Sequence, residues 1–201
     1  MTFVEEILVK RLGRVDYLPT WEAMRSFTSG RGESTPDELW VLEHPPVYTV
    51  GQGAPLPAVD NAIPAVKVDR GGDVTYHAPG QVVIYTLVDL ARRGLKVKGF
   101  VCLLEQAVID LLGARAERKA GAPGVYVDGA KVAALGIRVV RGRAYHGLAL
   151  NVDMDLAPFS AIDPCGYPGL RVTQMRDLGF TDSPGAVAER LVDILMGKLD
   201  A

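Results

Sequence analysis

The chain has 201 residues, 48% of them apolar and 23% charged, with a formal net charge of −2. That length fits one domain, 1–201, of ordinary globular composition, and the near-neutral charge argues against a dedicated nucleic-acid binder. Two cysteines, Cys102 and Cys165, exclude a disulfide framework and suit a reducing cytoplasm. No run of about 18 apolar residues exists to span a membrane, and the first residues lack a signal-peptide core.

In chain order, residues 3–11 read as a strand, and Asp16 reads as the N-cap of a helix carrying Trp21, Met24 and Phe27. Strand-like runs follow at 39–43 and 47–50, divided by Pro45 and Pro46. Residues 66–88 read as strand, turn, strand, with Gly71–Gly72 and Pro79–Gly80 at the bends. Residues 99–112 carry Phe100, Leu103, Leu104, Ala107 and Leu111 at helical spacing, with Cys102 beside that stripe. From 125 to 152 the pattern becomes a meander, with hairpin signals at Asp128–Gly129 and at 141–143. Ser183–Pro184 is an N-cap followed by proline at the first helical position, opening an amphipathic helix over 186–196. Mixed strands, few helices and no βαβ alternation predict an α+β domain with a mixed sheet and flanking helices.

Cys165 lies between Pro164 and Gly166, close to Pro168 and Gly169, so its thiol is expected on a loop. Two readings stand: a buried small hydrophobe, which is how Cys102 is read, or a nucleophile displayed on a loop. A nucleophile needs its thiolate, hence a nearby cation or base. His44, His77, His146 and several lysines are available.

Lys131 opens the strand 131–140, and simple alternation puts it on one face with Ala133, Leu135, Ile137 and Val139. Such a lysine either snorkels to water at the strand end or is a desolvated amine that exchanges protons near neutrality. Ala133, Ala134 and Gly136 leave room for a linear apolar ligand or for a close-packed helix. The segment 70–81, RGGDVTYHAPGQ, is glycine-rich without Walker or dinucleotide spacing. Alone it indicates a possible binding hairpin, in which His77 has a structural reading too.

The segments EHPPVYTVG (43–51), RGGDVTYHAPGQ (70–81), PGVYVDGAKVAALGIRV (123–139), YHGLALNV (145–152) and PCG (164–166) occur in this order. Together they resemble the lipoyl(octanoyl) transferases, the octanoyl-[acyl-carrier-protein]:protein octanoyltransferases, over about residues 38–179. The resemblance implies the fold of biotin and lipoate protein ligase catalytic domains. It implies a catalytic Cys165–Lys131 pair and an acyl pocket formed by Arg70, Gly71, Gly72, Asp73, Val74, Thr75, Tyr76 and His77, with Ala134, Leu135, Gly136, Gly147, Leu148 and Ala149. Asp73 departs from the polar residue that relatives often carry there.

The resemblance further implies acyl carrier protein as donor, and lipoyl domains of 2-oxoacid dehydrogenase E2 subunits and the glycine cleavage H protein as acceptors. Neither ATP nor metal is implied as a cofactor. The expected course is acyl transfer to Cys165 and then to a lipoyl-domain lysine, with Lys131 moving the protons. Backbone N–H groups near Cys165 and at the Gly71–Gly72 turn are candidate oxyanion donors. Arg138, Arg141 and Arg143 are either docking residues for acidic partners or solvated surface charges. Competing readings are an ATP-dependent lipoate ligase, a Cys–His hydrolase using His77 or His146, and a non-catalytic acyl- or carrier-protein-binding module. The histidines and cysteines show no metal-ligand spacing.

Overall fold

A computed structural model describes residues 7–59, 62–163 and 169–200. In chain order its elements are β1 (Ile7–Arg14), α1 (Tyr17–Gly30), β2 (Asp37–Glu43), β3 (Val47–Val50), β4 (Ala65–Lys67), β5 (Val74–His77), β6 (Gln81–Leu87), α2 (Val97–Leu112), β7 (Ala116–Lys119), β8 (Ala122–Val127), β9 (Ala130–Val140), β10 (Arg143–Asn151) and α3 (Pro184–Leu199), with short 3-10 turns between β10 and α3. The α+β expectation holds: a seven-stranded sheet in the order β1-β2-β6-β10-β9-β8-β7 stands beside a three-stranded sheet β4-β3-β5. The large sheet is mixed, because β1 runs parallel to β2 while its other neighbours pair antiparallel.

Local sequence explains most of these elements. Asp128–Gly129 and Arg141–Gly142 adopt positive φ at both central positions (49° and 78°, 51° and 78°), as two-residue hairpins with the right-handed strand twist require. Ser183 caps α3, its hydroxyl oxygen accepting the Ala186 N–H at 3.3 Å. Asp16 occupies the N-cap position of α1 without a side-chain cap. Residues 66–88 hold three strands rather than two: the short β4 leaves the meander to pair parallel with β3. The strand expected over 3–11 is seen from Ile7 and runs on to Arg14, past a register shift between Arg11 and Gly13.

Two cores cover the two faces of the large sheet. Phe100, Leu104 and Val108 of α2 and Val187, Leu191 and Leu195 of α3 bury against Ile84, Val125, Ala133, Leu148 and Leu150. On the other face Tyr17 and Met24 of α1 pack with Trp40, Val83, Tyr85, Tyr145 and Ala149. A third cluster, with Tyr48, Tyr76 and Phe159, fills the small sheet. No described helix is long and apolar enough to cross a membrane.

A buried charge cluster ties the edges together. The Asp37 carboxylate receives Arg31 at 2.5 Å, Arg92 at 2.7 Å and Arg93 at 2.6 Å, and it accepts the Asp89 N–H at 2.8 Å. Burial would raise its pKa, but these donors outweigh burial and hold it below the ordinary carboxylate range. Asp37→Ala would leave the fully buried Arg31 guanidinium without its counter-charge, which costs about 3–5 kcal/mol. A urea unfolding midpoint lowered to that extent is the expected result; a shift under 1 kcal/mol contradicts it.

Candidate active site

The glycine and alanine positions of β9 and β10 lie opposite one another: Gly136 pairs with Gly147, and Ala134 with Ala149. Where these small side chains stand, the loop leading into β5 and β5 itself fold across the sheet, with the Gly71 N–H donated to the Ile137 carbonyl at 3.1 Å. Between them lies a narrow cavity of about 40 Å³, lined by Arg70, Gly72, Asp73, Val74, Thr75, His77, Ala134, Leu135, Gly136, Gly147, Leu148 and Ala149, with Tyr17, Val83, Tyr85 and His146. Gly147 is obligatory here by close approach, since a Cβ would stand 2.1 Å from the Ile84 carbonyl oxygen.

Twelve of the fourteen expected pocket residues therefore line one cavity, and two do not. Tyr76 turns to the opposite side of β5 and packs against Tyr48 and Phe159. Gly71 lines an adjoining groove with Val101, Pro123 and Ile137, which shares Gly72, Asp73, Leu135 and Gly136 with the cavity. Because the Gly71 N–H is already spent on Ile137, its proposed oxyanion role is withdrawn. Tyr17, Val83 and Tyr85 carry no local motif. They reach the cavity only through packing of α1 and β6, which sequence reading could not show.

The cavity wall is largely apolar, and most of the polar groups set in or beside it are paired, with His146 Nδ1 buried without a partner. His44 contacts the Val15 carbonyl at 2.6 Å through Nδ1 and the Tyr85 hydroxyl at 2.7 Å through Nε2. Tyr17 stacks on His77 with ring centroids 5.9 Å apart. Asp69 accepts from Trp21 Nε1 at 2.9 Å, from the Tyr145 hydroxyl, and from His146 Nε2 at 2.9 Å. Burial acts to raise the Asp69 pKa, but the His146, Tyr145 and Trp21 hydrogen bonds prevail and hold it well below the ordinary range. Burial pushes His77 down to about 3 and His44 down to about 4. It also lowers His146 despite the facing Asp69, and it raises the Tyr17 phenol to about 12. The histidines are thus neutral near pH 7, and Asp69 remains anionic.

Lys131 is buried, with 3% of its surface exposed, but not on the face that simple alternation assigns. A bulge at Val132 makes Val125 pair with Ala133 while Tyr126 pairs with Lys131. The extra residue inverts the alternation. Lys131 then shares the Tyr126 face, its Nζ 5.5 Å from that ring's centroid, whereas Ala133 joins the helical core with Val125. Lys131 therefore falls on the sheet face of Ala134 and Gly136, the side that carries the cavity. Gly124, with φ 140°, makes its space: a Cβ there would stand 2.6 Å from Lys131 Cε and 2.8 Å from the Ala133 oxygen. The Gly124 N–H is held at 3.0 Å by the buried carboxylate of Glu105 on α2.

Cys165 lies outside the described residues. The chain beyond it is described and returns to Lys131: the Lys131 N–H donates to the Arg171 carbonyl at 2.8 Å, and the Thr173 N–H donates to the Lys131 carbonyl at 2.9 Å. Of the arginines considered for docking, Arg143 is committed internally, to the Arg31 carbonyl at 2.5 Å and to Asp89 at 3.3 Å. Arg138 donates to Gln52 at 3.2 Å, and Arg141 is exposed at the hairpin tip.

Comparison with known proteins agrees with this layout. The family profile described as "Lipoyl protein ligase A/B catalytic domain" matches residues 16–195. A curated protein of Aromatoleum aromaticum named octanoyltransferase is 63% identical, covering 96% of this chain and 86% of its own. The octanoyltransferase of Thiobacillus denitrificans is 60% identical, covering 94% and 89%. Among solved structures, a putative lipoate protein ligase of T. acidophilum superposes with TM-score 0.76 at 16% identity, covering 96% of this chain and 85% of that one. The biotin protein ligase of Aquifex aeolicus gives 0.56 at 14% identity, covering 96% and 68%. At those identities the solved structures show the fold.

Two outcomes test the site as drawn. His44 and His77 bind protons in the unfolded chain below its ordinary pKa near 6.5, but in the folded chain only near 4 and 3. Stability is therefore present above pH 6.5 and falls as pH drops from there toward 4, by on the order of 1.4 kcal/mol per pH unit for each histidine. Urea midpoints at pH 7, 6 and 5 should show this slope, and His77→Gln should remove its share; a flat profile contradicts the burial. Second, Gly124→Ala is expected to cost about 1–3 kcal/mol by overpacking, and measurably less in a Lys131→Ala background. Equal costs in both backgrounds would mean that Lys131 does not occupy that space.

Proposed function

The chain belongs to the lipoyl protein ligase A/B catalytic domain family, and to the octanoyltransferases within it, and from that premise we propose that it moves an octanoyl group from acyl carrier protein to a lysine of lipoyl domains through a Cys165 thioester. As an acyltransferase it needs a nucleophile, a proton carrier and a site for the chain. The observation that carries the reading is the pinning of Lys131, on the cavity-bearing face, to the stretch 171–173 that follows position 165.

In the first step the Cys165 thiol gives its proton to Lys131, and the thiolate attacks the donor thioester carbonyl. A sulfur–carbon bond forms, the phosphopantetheine sulfur leaves, and Lys131 returns the proton to it. In the second step a lipoyl-domain lysine attacks the acyl-Cys165 carbonyl, losing a proton to Lys131; the Cys165 sulfur departs as thiolate and takes that proton back from Lys131, restoring both groups. Thioester to amide is downhill, so the reaction requires neither ATP nor metal. The Gly136/Gly147 and Ala134/Ala149 pairs leave space for the chain. Burying about seven methylenes at ~0.8 kcal/mol each favours a medium-length acyl group by several kcal/mol. The acceptors in this reading are the lipoyl domains of 2-oxoacid dehydrogenase E2 subunits and the glycine cleavage H protein, and the setting is the cytoplasm.

The hydrolase reading loses support from the histidines. His77 and His146 are neutral, and their hydrogen-bonded partners Gln81 and Asp69 hold them in place. A binding module without catalysis gives Lys131 no task.

The test is intact-mass analysis after mixing with octanoyl-carrier protein in the absence of nucleotide. One octanoyl adduct mapping to Cys165 is expected, absent from Cys165→Ser, with transfer by Lys131→Ala slowed about 10²-fold or more. Full turnover by Cys165→Ser, or a strict need for ATP, defeats the proposal.

A further inference from the structure

Between the cavity and Lys131 runs a buried chain of hydrogen bonds in which the direction of every donor is fixed by its neighbours. The Gln81 amide nitrogen donates to the Tyr76 carbonyl at 3.1 Å and to Asn151 Oδ1 at 3.0 Å. Both are acceptors only, so the Gln81 oxygen faces His77, and His77 Nδ1 carries the proton that it donates across 2.8 Å. His77 Nε2 is then an acceptor and takes the Thr49 hydroxyl proton across 3.2 Å. The Thr49 oxygen in turn accepts from Arg70 Nη2 at 2.9 Å.

At the far end Asn151 Nδ2 donates to the Thr173 carbonyl at 3.0 Å, and the Thr173 N–H donates to the Lys131 carbonyl. Arg70, Thr49, His77, Gln81, Asn151 and Lys131 are all buried. Arg70 and His77 line the cavity, while Asn151 does not.

Asn151 is the joint of this chain. As the last residue of β10 it stands where β10 ends as the partner of β9 and the stretch 171–173 takes over beside Lys131. Its side chain holds the Thr173 carbonyl, and its own carbonyl accepts the Met175 N–H at 3.0 Å. Two bonds from one residue thus fix the register of the segment that continues from position 165.

We infer that Asn151 is a positioning residue: it sets the stretch 171–175 against Lys131, and through Gln81 and His77 it ties that setting to the wall of the acyl cavity. This deepens the Cys165–Lys131 reading and rests on it. Loosening the joint leaves the cavity lined as before but releases the stretch 171–175, which follows Cys165 in the chain, from its place beside Lys131. The loss is then expected in the chemical step rather than in acyl binding. A displacement of about 1 Å at a reacting pair costs up to about 100-fold in rate.

The test uses Asn151→Ala and the isosteric Asn151→Asp, which keeps an acceptor for Gln81 but loses the donor to Thr173. Rates are taken per folded molecule, with the folded fraction read from urea melts. Expected for both are a fall in kcat of about 10- to 100-fold, a KM for octanoyl-carrier protein within about threefold of wild type, and slower iodoacetamide alkylation of Cys165 at pH 7 that recovers at high pH. Should Asn151→Ala fail to fold, Asn151→Asp alone decides. Wild-type kcat and an unchanged alkylation profile in the folded variant overturn the inference, and so does a loss confined to stability. Cys165→Ser in the same assay separates the two levels. If that variant stays active, the thioester reading itself falls; if it is dead while Asn151→Ala behaves as wild type, only the role of Asn151 falls.

Discussion

The backbone pairing around Lys131 is the constraint on which the site depends. At its start β9 is gripped on both edges, by β8 through Tyr126 and by the returning stretch 171–173 through two hydrogen bonds. One extra residue, Val132, is inserted between this gripped end and the regular remainder of the strand. The bulge lets Val132 and Ala133 both enter the helical core while Lys131 turns to the cavity side. Without it, burying the amine on the same face as Ala133 would place an ammonium among leucines and valines of the core, which is prohibitive without a partner.

The cavity shows how a fold can surround a largely apolar ligand site with titratable groups without turning them into acids and bases. Three histidines and two tyrosines stand in or beside the wall, but burial keeps the imidazoles neutral and the phenols protonated. Asp69, the anionic member, accepts hydrogen bonds from Trp21, Tyr145 and His146. Densely paired networks of this kind are rigid, because each lost bond leaves a buried polar atom without compensation. The wall therefore behaves as a fixed template, and in the proposed reaction the proton carrier is Lys131, on the same face of the sheet.

How much of this was legible in the sequence depends on the range of the interaction involved. Hairpins at Asp128–Gly129 and Arg141–Gly142, the proline-led α3 and the periodicity of α2 follow from residues within a few positions of one another, and they were readable. The α+β class followed from the strand and helix pattern, whereas the pocket segments came from motif resemblance rather than from periodicity. What escaped was long-range or broke a rule. Tyr17 meets His44 only after α1 docks on the sheet; β4 is too short to announce itself; and the Val132 bulge reverses the parity that simple alternation assigns to Lys131. Tyr76 shows the same limit from the other side: it sits inside a ligand-binding motif, yet strand alternation points it away. Arg143 looked like a surface charge because Asp89 and the Arg31 carbonyl lie 54 and 112 positions away.

Fold alone does not separate a ligase from a transferase, since chemistry is carried by sites placed on a shared scaffold. The likeness to lipoate and biotin ligases at 16% and 14% identity therefore bears on the sheet, the cavity and the placing of a lysine, and not on how the acyl group is activated. A ligase activates a free acid with nucleotide, whereas a transferase receives a group that is already activated and must hold it while one protein leaves and another arrives. That holding step needs a covalent anchor at a constant distance from a proton carrier. In the proposed reaction that anchor is Cys165 and the proton carrier Lys131, and the described backbone holds the stretch 171–173 against Lys131 through the bonds that run from Asn151 to Thr173 and from Thr173 to Lys131.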